Sequence, residues 1–188
     1  MLSGRRLDLL DPSPLDVEIE DIAQGLSRVA RWNGQTCGEW AFSVAQHSLL
    51  VEAIAAEAAP GLARRWRLAA LLHDAAEYVV GDLITPFKAA VGMDFRDLEQ
   101  RLDRAVRLCF GLPARLPVKT ARLIKRADRA AAYFEATQLA GFSAAEAERL
   151  IGRARGLAAP ALTPWPPAEA KARFLARFRV LAAPLSES

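Results

Sequence analysis

The sequence predicts an all-α, single-domain helical bundle, and three observations predict it. A chain of 188 residues with 52% apolar content is long enough to bury one continuous core. Apolar residues recur at three- and four-residue spacing through every long segment, with Gly, Pro and capping residues between segments. No stretch alternates apolar and polar side chains as a half-buried strand would, and there are no repeats or low-complexity tracts.

Taken in order, Pro12 and Pro14 make residues 1–17 an extended arm. A helix follows from Glu18 to Trp32, with Ile19, Ile22, Leu26 and Val29 on one stripe, ended by Asn33-Gly34. The next runs from Ser43 to Ala58 with Val44, His47, Val51 and Ile54 on one face, broken by Pro60-Gly61. A third spans Ala63 to Val79, and Gly81 to Pro86 leaves it as a turn. A short helix at Phe87–Val91 precedes a longer one from Asp94 to Phe110, stopped by Gly111 and Pro113. Pro117 opens a helix to Leu139 with Leu123, Ala127, Ala130 and Phe134 as its core stripe. Ser143 and Glu146 form a capping box for a helix to Arg155, and residues 157–167 are a Pro/Ala-rich connection. Pro166-Pro167 starts the last helix, with Ala170, Phe174, Phe178 and Leu181 on its apolar side. Within the single domain, residues 18–140 form the core and 141–188 the C-terminal helices.

Composition removes several classes of function. A net charge of +3 falls well short of a dedicated nucleic-acid binder, and the arginines and lysines of 119–129 read as a solvated face. No apolar run approaches the roughly 20 residues that span a bilayer, and Arg5, Arg6, Asp8 and Asp11 interrupt any leader. Cys37 and Cys109 stand alone without metal spacing, as free thiols do in a reducing compartment. A soluble, cytoplasmic protein is the expectation.

The chemistry concentrates at Leu71-Leu72-His73-Asp74-Ala75-Ala76-Glu77. The apolar run around it reads as a buried helix, and on a helix Glu77 shares a side with both His73 and Asp74. Imidazole and carboxylate seldom occupy such a setting unpartnered, because a buried polar group without a partner costs several kcal/mol. Singly, His47 reads as a core histidine, His73-Asp74 as a hydrogen-bonded pair and Asp128 as a surface ion-pair partner. Together, two neutral imidazoles and two carboxylates neutralise one divalent ion. That mixed nitrogen and oxygen set suits Mn, Co, Fe, Ni or Zn better than Ca.

The order His47, His73-Asp74, Asp128 resembles the HD-domain metal-dependent phosphohydrolase superfamily. Ser43 to Ser48, then His73-Asp74-Ala75-Ala76-Glu77 with Gly81-Asp82-Leu83, Pro86 and Lys88, then Lys125 and Asp128, resemble its bacterial 5′-deoxynucleotidase (YfbR-like) branch. Arg31-Trp32 also fits that branch. The opening Ser3-Gly4-Arg5-Arg6 with Ile19 to Ala23 is similar to a group that includes phage dATP triphosphohydrolases. The resemblance covers residues 18–140 and departs at Gln46, where Glu commonly precedes the histidine; that change should alter only hydrogen bonding around the ligands.

The resemblance implies one divalent transition metal ion (Co, Mn, Zn, Fe or Ni) held by His47, His73, Asp74 and Asp128. It further implies Glu77 as the proton-handling carboxylate, Asp82 orienting water or a sugar hydroxyl, and Arg31, Trp32 and Lys88 binding substrate. The implied reaction is 5′-phosphate hydrolysis of (deoxy)ribonucleoside monophosphates. The alternatives are a (d)NTP triphosphohydrolase, with Lys88, Arg126 and Arg129 as available cations, or a non-catalytic nucleotide-binding or scaffold protein. The implied partners are a small nucleotide and a second copy in a homodimer or larger homo-oligomer, with neither a specific nucleic acid nor a membrane.

Overall fold

Apolar stripes at helical spacing have to be covered, and here helices cover one another. The computed structural model describes residues 1–83, 93–154 and 156–183. Among these the helices are α1 (Ile19–Leu26), α2 (Val44–Ala58), α3 (Arg64–Leu71), α4 (Glu77–Val80), α5 (Met93–Cys109), α6 (Val118–Gln138), α7 (Ala144–Leu150) and α8 (Pro167–Ala182). No β-strand occurs among the described residues; the one β-bridge pairs Ala30 with Ser43. The all-α expectation therefore holds. The short helix expected at Phe87–Val91, and Lys88 with it, lie outside the described residues.

Helix α2 is central, packing on α6, α3 and α8, while α1 lies against α4 and α8. Ile22, Leu26, Val44, Val51, Leu71 and Phe174 are fully buried between them. Gly25 lets α1 approach α4: a Cβ there would lie 2.7 Å from the Tyr78 Cβ. The expected apolar side of α8, Ala170, Phe174, Phe178 and Leu181, is buried. Ser143 and Glu146 form the expected capping box. Helix α7 stops at Leu150, short of the expected Arg155, and Gly152 beyond it takes φ +110°. The N-terminal arm is tied down through Ser3, whose N–H and hydroxyl donate to the buried Asp21 carboxylate.

Two further helices end earlier than the sequence predicts. The first stops at Leu26 because residues 29–31 pair with 42–44: Val44 N–H donates to Val29 O, and Arg31 N–H to Phe42 O. Its expected end, Arg31-Trp32, instead forms a 3₁₀ turn (Arg31–Gly34) in which Trp32 and Asn33 adopt φ of 55° and 51°. The third stops at Leu71, so His73-Asp74 lies in a turn between α3 and α4 and not on a helix. Its backbone bonds span three residues, as from Ala75 N–H to Leu72 O and from Glu77 N–H to Asp74 O.

Gln46 faces away from the histidine cluster. Its Nε2 donates to Thr163 O at 2.6 Å and its Oε1 accepts from Trp165 N–H at 3.1 Å, clamping the connection before α8. The expectation that it only tunes bonding around the ligands is thus corrected: the contact needs one donor and one acceptor, which an amide has and a carboxylate lacks. Gln46→Glu is expected to destabilise the fold by about 1–3 kcal/mol, by setting a carboxylate against a carbonyl. Urea denaturation checks this, and an unchanged midpoint would deny the clamp its role.

Candidate metal centre

Three segments deliver the charged side chains. His47 comes from the first turn of α2, His73 and Asp74 from the α3–α4 turn, and Asp128 from the middle of α6. The ring centroids of the two histidines lie 5.2 Å apart. Ligand atoms of His47, His73 and Asp128 all lie within 4.8 Å of one another. Asp74 Oδ2 is 3.1 Å from His73 Nε2 and 3.5 Å from His47 Nε2, and Asp128 Oδ1 is 3.4 Å from His47 Nε2. The fold thus brings together the four residues that the family resemblance implies as a ligand set.

The chemistry of this donor set fits a cation at its centre. His73 Nδ1 is 3.0 Å from Ala70 O, and a carbonyl only accepts, so Nδ1 carries the proton. His47 Nδ1 lies 2.5 Å from Oε1 of the fully buried Glu135. Burial pushes the Glu135 pKa up, but His47 and Arg31 outweigh it and hold it at about 2, so that carboxylate is an acceptor. Either ring, when neutral, therefore has its Nε2 lone pair aimed inward, and these buried nitrogens have no hydrogen-bond partner among the described residues. A lone pair 3.1–3.5 Å from anionic oxygens is repelled until a positive charge comes between them. Without an ion a proton supplies that charge. Burial and Arg31 lower the His47 pKa, but Glu135, Asp128 and Asp74 raise it well above its ordinary value. Burial raises the carboxyl pKa of Asp74 and Asp128 too, yet the histidines hold both well below their usual range. The second Asp128 oxygen takes the Lys125 ammonium at 2.7 Å, the ion pair that Asp128 read alone suggests.

Glu135 escapes a reading of the sequence, yet it ties the cluster to its surroundings. Besides His47 it accepts from Trp32 Nε1 at 2.9 Å and from Arg31 Nε at 3.2 Å. Arg31 Nη1 reaches Asp82 Oδ2 at 2.8 Å. Burial opposes the Arg31 charge, but Glu135, Asp82, Asp74 and Glu77 outweigh it and keep the guanidinium protonated. Trp32 packs on Phe142, centroids 5.6 Å apart. Its left-handed backbone costs roughly 1–2 kcal/mol, and the indole bond to Glu135 holds it there. The signal that could have found Glu135 is a lone acid seven residues after Asp128, hence on the same face of α6, inside Tyr133-Phe134-Glu135-Ala136.

Of the remaining candidates, Glu77 is buried at the start of α4. Arg126 and Arg129 are not brought to the cluster: they line a different cavity with Ile54, Ile151 and Leu157.

The chain is similar to known proteins over the segments that carry the cluster. The HD-domain family model matches residues 44–133, a span holding all four clustered residues and Glu77 and ending two residues before Glu135. An uncharacterised protein of Rhodobacter capsulatus is 60% identical over 191 residues, covering 99% of this chain and 96% of that protein. The uncharacterised protein YfdR of Escherichia coli (strain K12) is 33% identical over 111 residues, covering 58% of this chain and 57% of its own length. No helix among the described residues is long and apolar enough to cross a membrane. By family match and by fold, the chain belongs to the HD-domain metal-dependent phosphohydrolase superfamily, whose members bind a divalent metal ion.

Proposed function

We propose that the protein is a nucleotide phosphohydrolase in which His47, His73, Asp74 and Asp128 hold the ion. The observation that carries this reading is the pair of buried Nε2 atoms converging with two carboxylates. When bound, a divalent ion there acts as a Lewis acid, drawing charge from a phosphoryl oxygen and acidifying water. The protein's own groups do the rest. Arg31 spends two of its five donors on Glu135 and Asp82 and offers others to a substrate phosphate. Trp32, fixed by Glu135, is the surface for the sugar. Glu77, buried near Arg31, takes the proton that the attacking water loses and passes it to the leaving 5′-oxygen, directly or through water. Asp82 holds Arg31 and turns its other lone pairs toward water or a sugar hydroxyl. Arg31 and Trp32 beside the cluster favour 5′-phosphate hydrolysis of (deoxy)ribonucleoside monophosphates. A homodimer or larger homo-oligomer and a cytoplasmic location go with this reading.

A second reading, triphosphohydrolysis, is favoured by Lys125 and Arg107, which line the same cavity as His73, Asp74 and Asp128. A metal-supplemented screen of nucleoside mono- and triphosphates with products resolved tests both; orthophosphate from dAMP supports the first, tripolyphosphate from dATP the second. Glu77→Gln is expected to lower kcat by about 10²–10⁴-fold, the range for a lost general acid, with metal content unchanged. Undiminished turnover would remove Glu77 from the reaction. No turnover of any nucleotide by the metal-loaded wild-type protein would overturn the assignment.

A further inference from the structure

Arg126 and Arg129 leave the metal centre but converge on something else. With Arg153, from the segment after α7, they border a cavity of about 510 Å³ whose apolar lining includes Ile54, Leu123, Ala130 and Leu157. That volume falls within the roughly 300–1,000 Å³ of small-molecule sites. Local features of the sequence build it. Leu123, Ala127 and Ala130, at four- and three-residue spacing, share one face of α6. Alanine at two of those positions leaves a hollow that longer side chains would fill. Gly152 and Gly156, at φ +110° and +71°, let the chain turn after α7 and contribute Arg153 and Leu157 to the lining.

The lining carries charge of one sign. No acidic and no aromatic side chain borders the cavity among the described residues. Arg126 and Arg129 make no ion pair or side-chain hydrogen bond among those residues, and Arg153 reaches Glu148 at 3.9 Å, a loose contact between exposed side chains. From this we infer that the cavity is a second ligand site, separate from the metal centre, for an organic anion: a carboxylate or phosphate head on an aliphatic body. Guanidinium forks take either head through charge-assisted, often bidentate bonds. The isoleucine, leucine and alanine side chains cover the body, whereas a nucleotide base finds no ring to stack on. Asp128, between Ala127 and Arg129 in the chain, does not line this cavity; its carboxylate faces His47. Nothing in this site depends on what the metal centre hydrolyses.

The test is calorimetric titration of the metal-free protein with octanoate and octyl phosphate below their micelle concentrations. Inorganic phosphate supplies a head alone and octanol a tail alone. At least one of the two octyl anions is expected to bind about tenfold or more tightly than either control. Arg126→Glu with Arg129→Glu is expected to lower that affinity by about tenfold or more. Arg104→Glu with Arg115→Glu makes the same change of charge elsewhere and is expected to leave it within about twofold. All four arginines are exposed, so both double reversals spare the core. No binding of either octyl anion, controls that bind as well, affinity that survives the Arg126 and Arg129 reversals, or an equal loss with the Arg104 and Arg115 reversals overturns the site. So does retention of the protein by phosphatidylglycerol vesicles without binding of the free anions, which would assign these arginines to a membrane surface.

Discussion

Glu135→Gln is expected to weaken metal binding by about 10–100-fold, although Glu135 is separated from the cluster's centre by the whole His47 ring. The carboxylate accepts three hydrogen bonds, from His47, Trp32 and Arg31. An amide of the same size has one acceptor oxygen and one NH₂ group. If the oxygen stays with Trp32 and Arg31, the NH₂ faces His47 Nδ1, and the ring must place its proton on Nε2, the atom aimed at the cluster. If the amide turns over, the NH₂ confronts the indole and guanidinium donors and releases Trp32 from its left-handed backbone. Either way one half of the site is lost. Titrating the apo protein with Co²⁺, with circular dichroism to verify folding, checks the expectation. Unaltered Co²⁺ affinity in a folded variant would show that Glu135 does not govern the His47 tautomer.

Asp128→Ala is expected to abolish the thermal stabilisation that metal confers on the wild-type protein. A ligand present at 1,000 times its Kd stabilises the native state by about 4.1 kcal/mol, which makes the contrast large. Removing Asp128 takes away one carboxylate and leaves Lys125, its partner at 2.7 Å, beside the cluster. Scanning calorimetry with and without metal measures the effect. A wild-type-sized shift in the variant would take Asp128 out of the ligand set. The same site sets the pH dependence. His47 has its pKa raised by Glu135, Asp128 and Asp74, so below that raised value a proton occupies the position the ion must take. Metal affinity therefore falls as pH falls, and binding at neutral pH releases a proton to buffer. Calorimetric titration in buffers of different ionisation enthalpy measures the release.

How much of this was legible in the sequence depended on the range of the interactions. Helices α2, α5, α6 and α8 were readable because each carries its own stripe and its own stop signals, all local properties. His47 and His73-Asp74 stood out in apolar surroundings, whereas Asp128, flanked by charged residues, joined them only through the family resemblance. The ends of the first and third helices were not. Residues 29–31 leave the helix to pair with residues 42–44, and His73 Nδ1 bonds back to Ala70 O where its helix has ended. Both are choices of hydrogen-bond partner that helical propensity does not encode. Gln46 was misjudged because its partners, Thr163 and Trp165, lie more than a hundred residues away.

What the sequence by itself determined is the helical class and the kinds of side chain available to a cation, because periodicity and residue chemistry are properties of neighbours along the chain. Only the tertiary structure decided that Glu135, 88 residues from His47, fixes that ring's tautomer, that Arg126 and Arg129 turn away from the cluster, and that Arg107 lines its cavity. Directed bonds and cavity walls are made by groups far apart in the chain, and their mutual geometry exists only once the helices have packed.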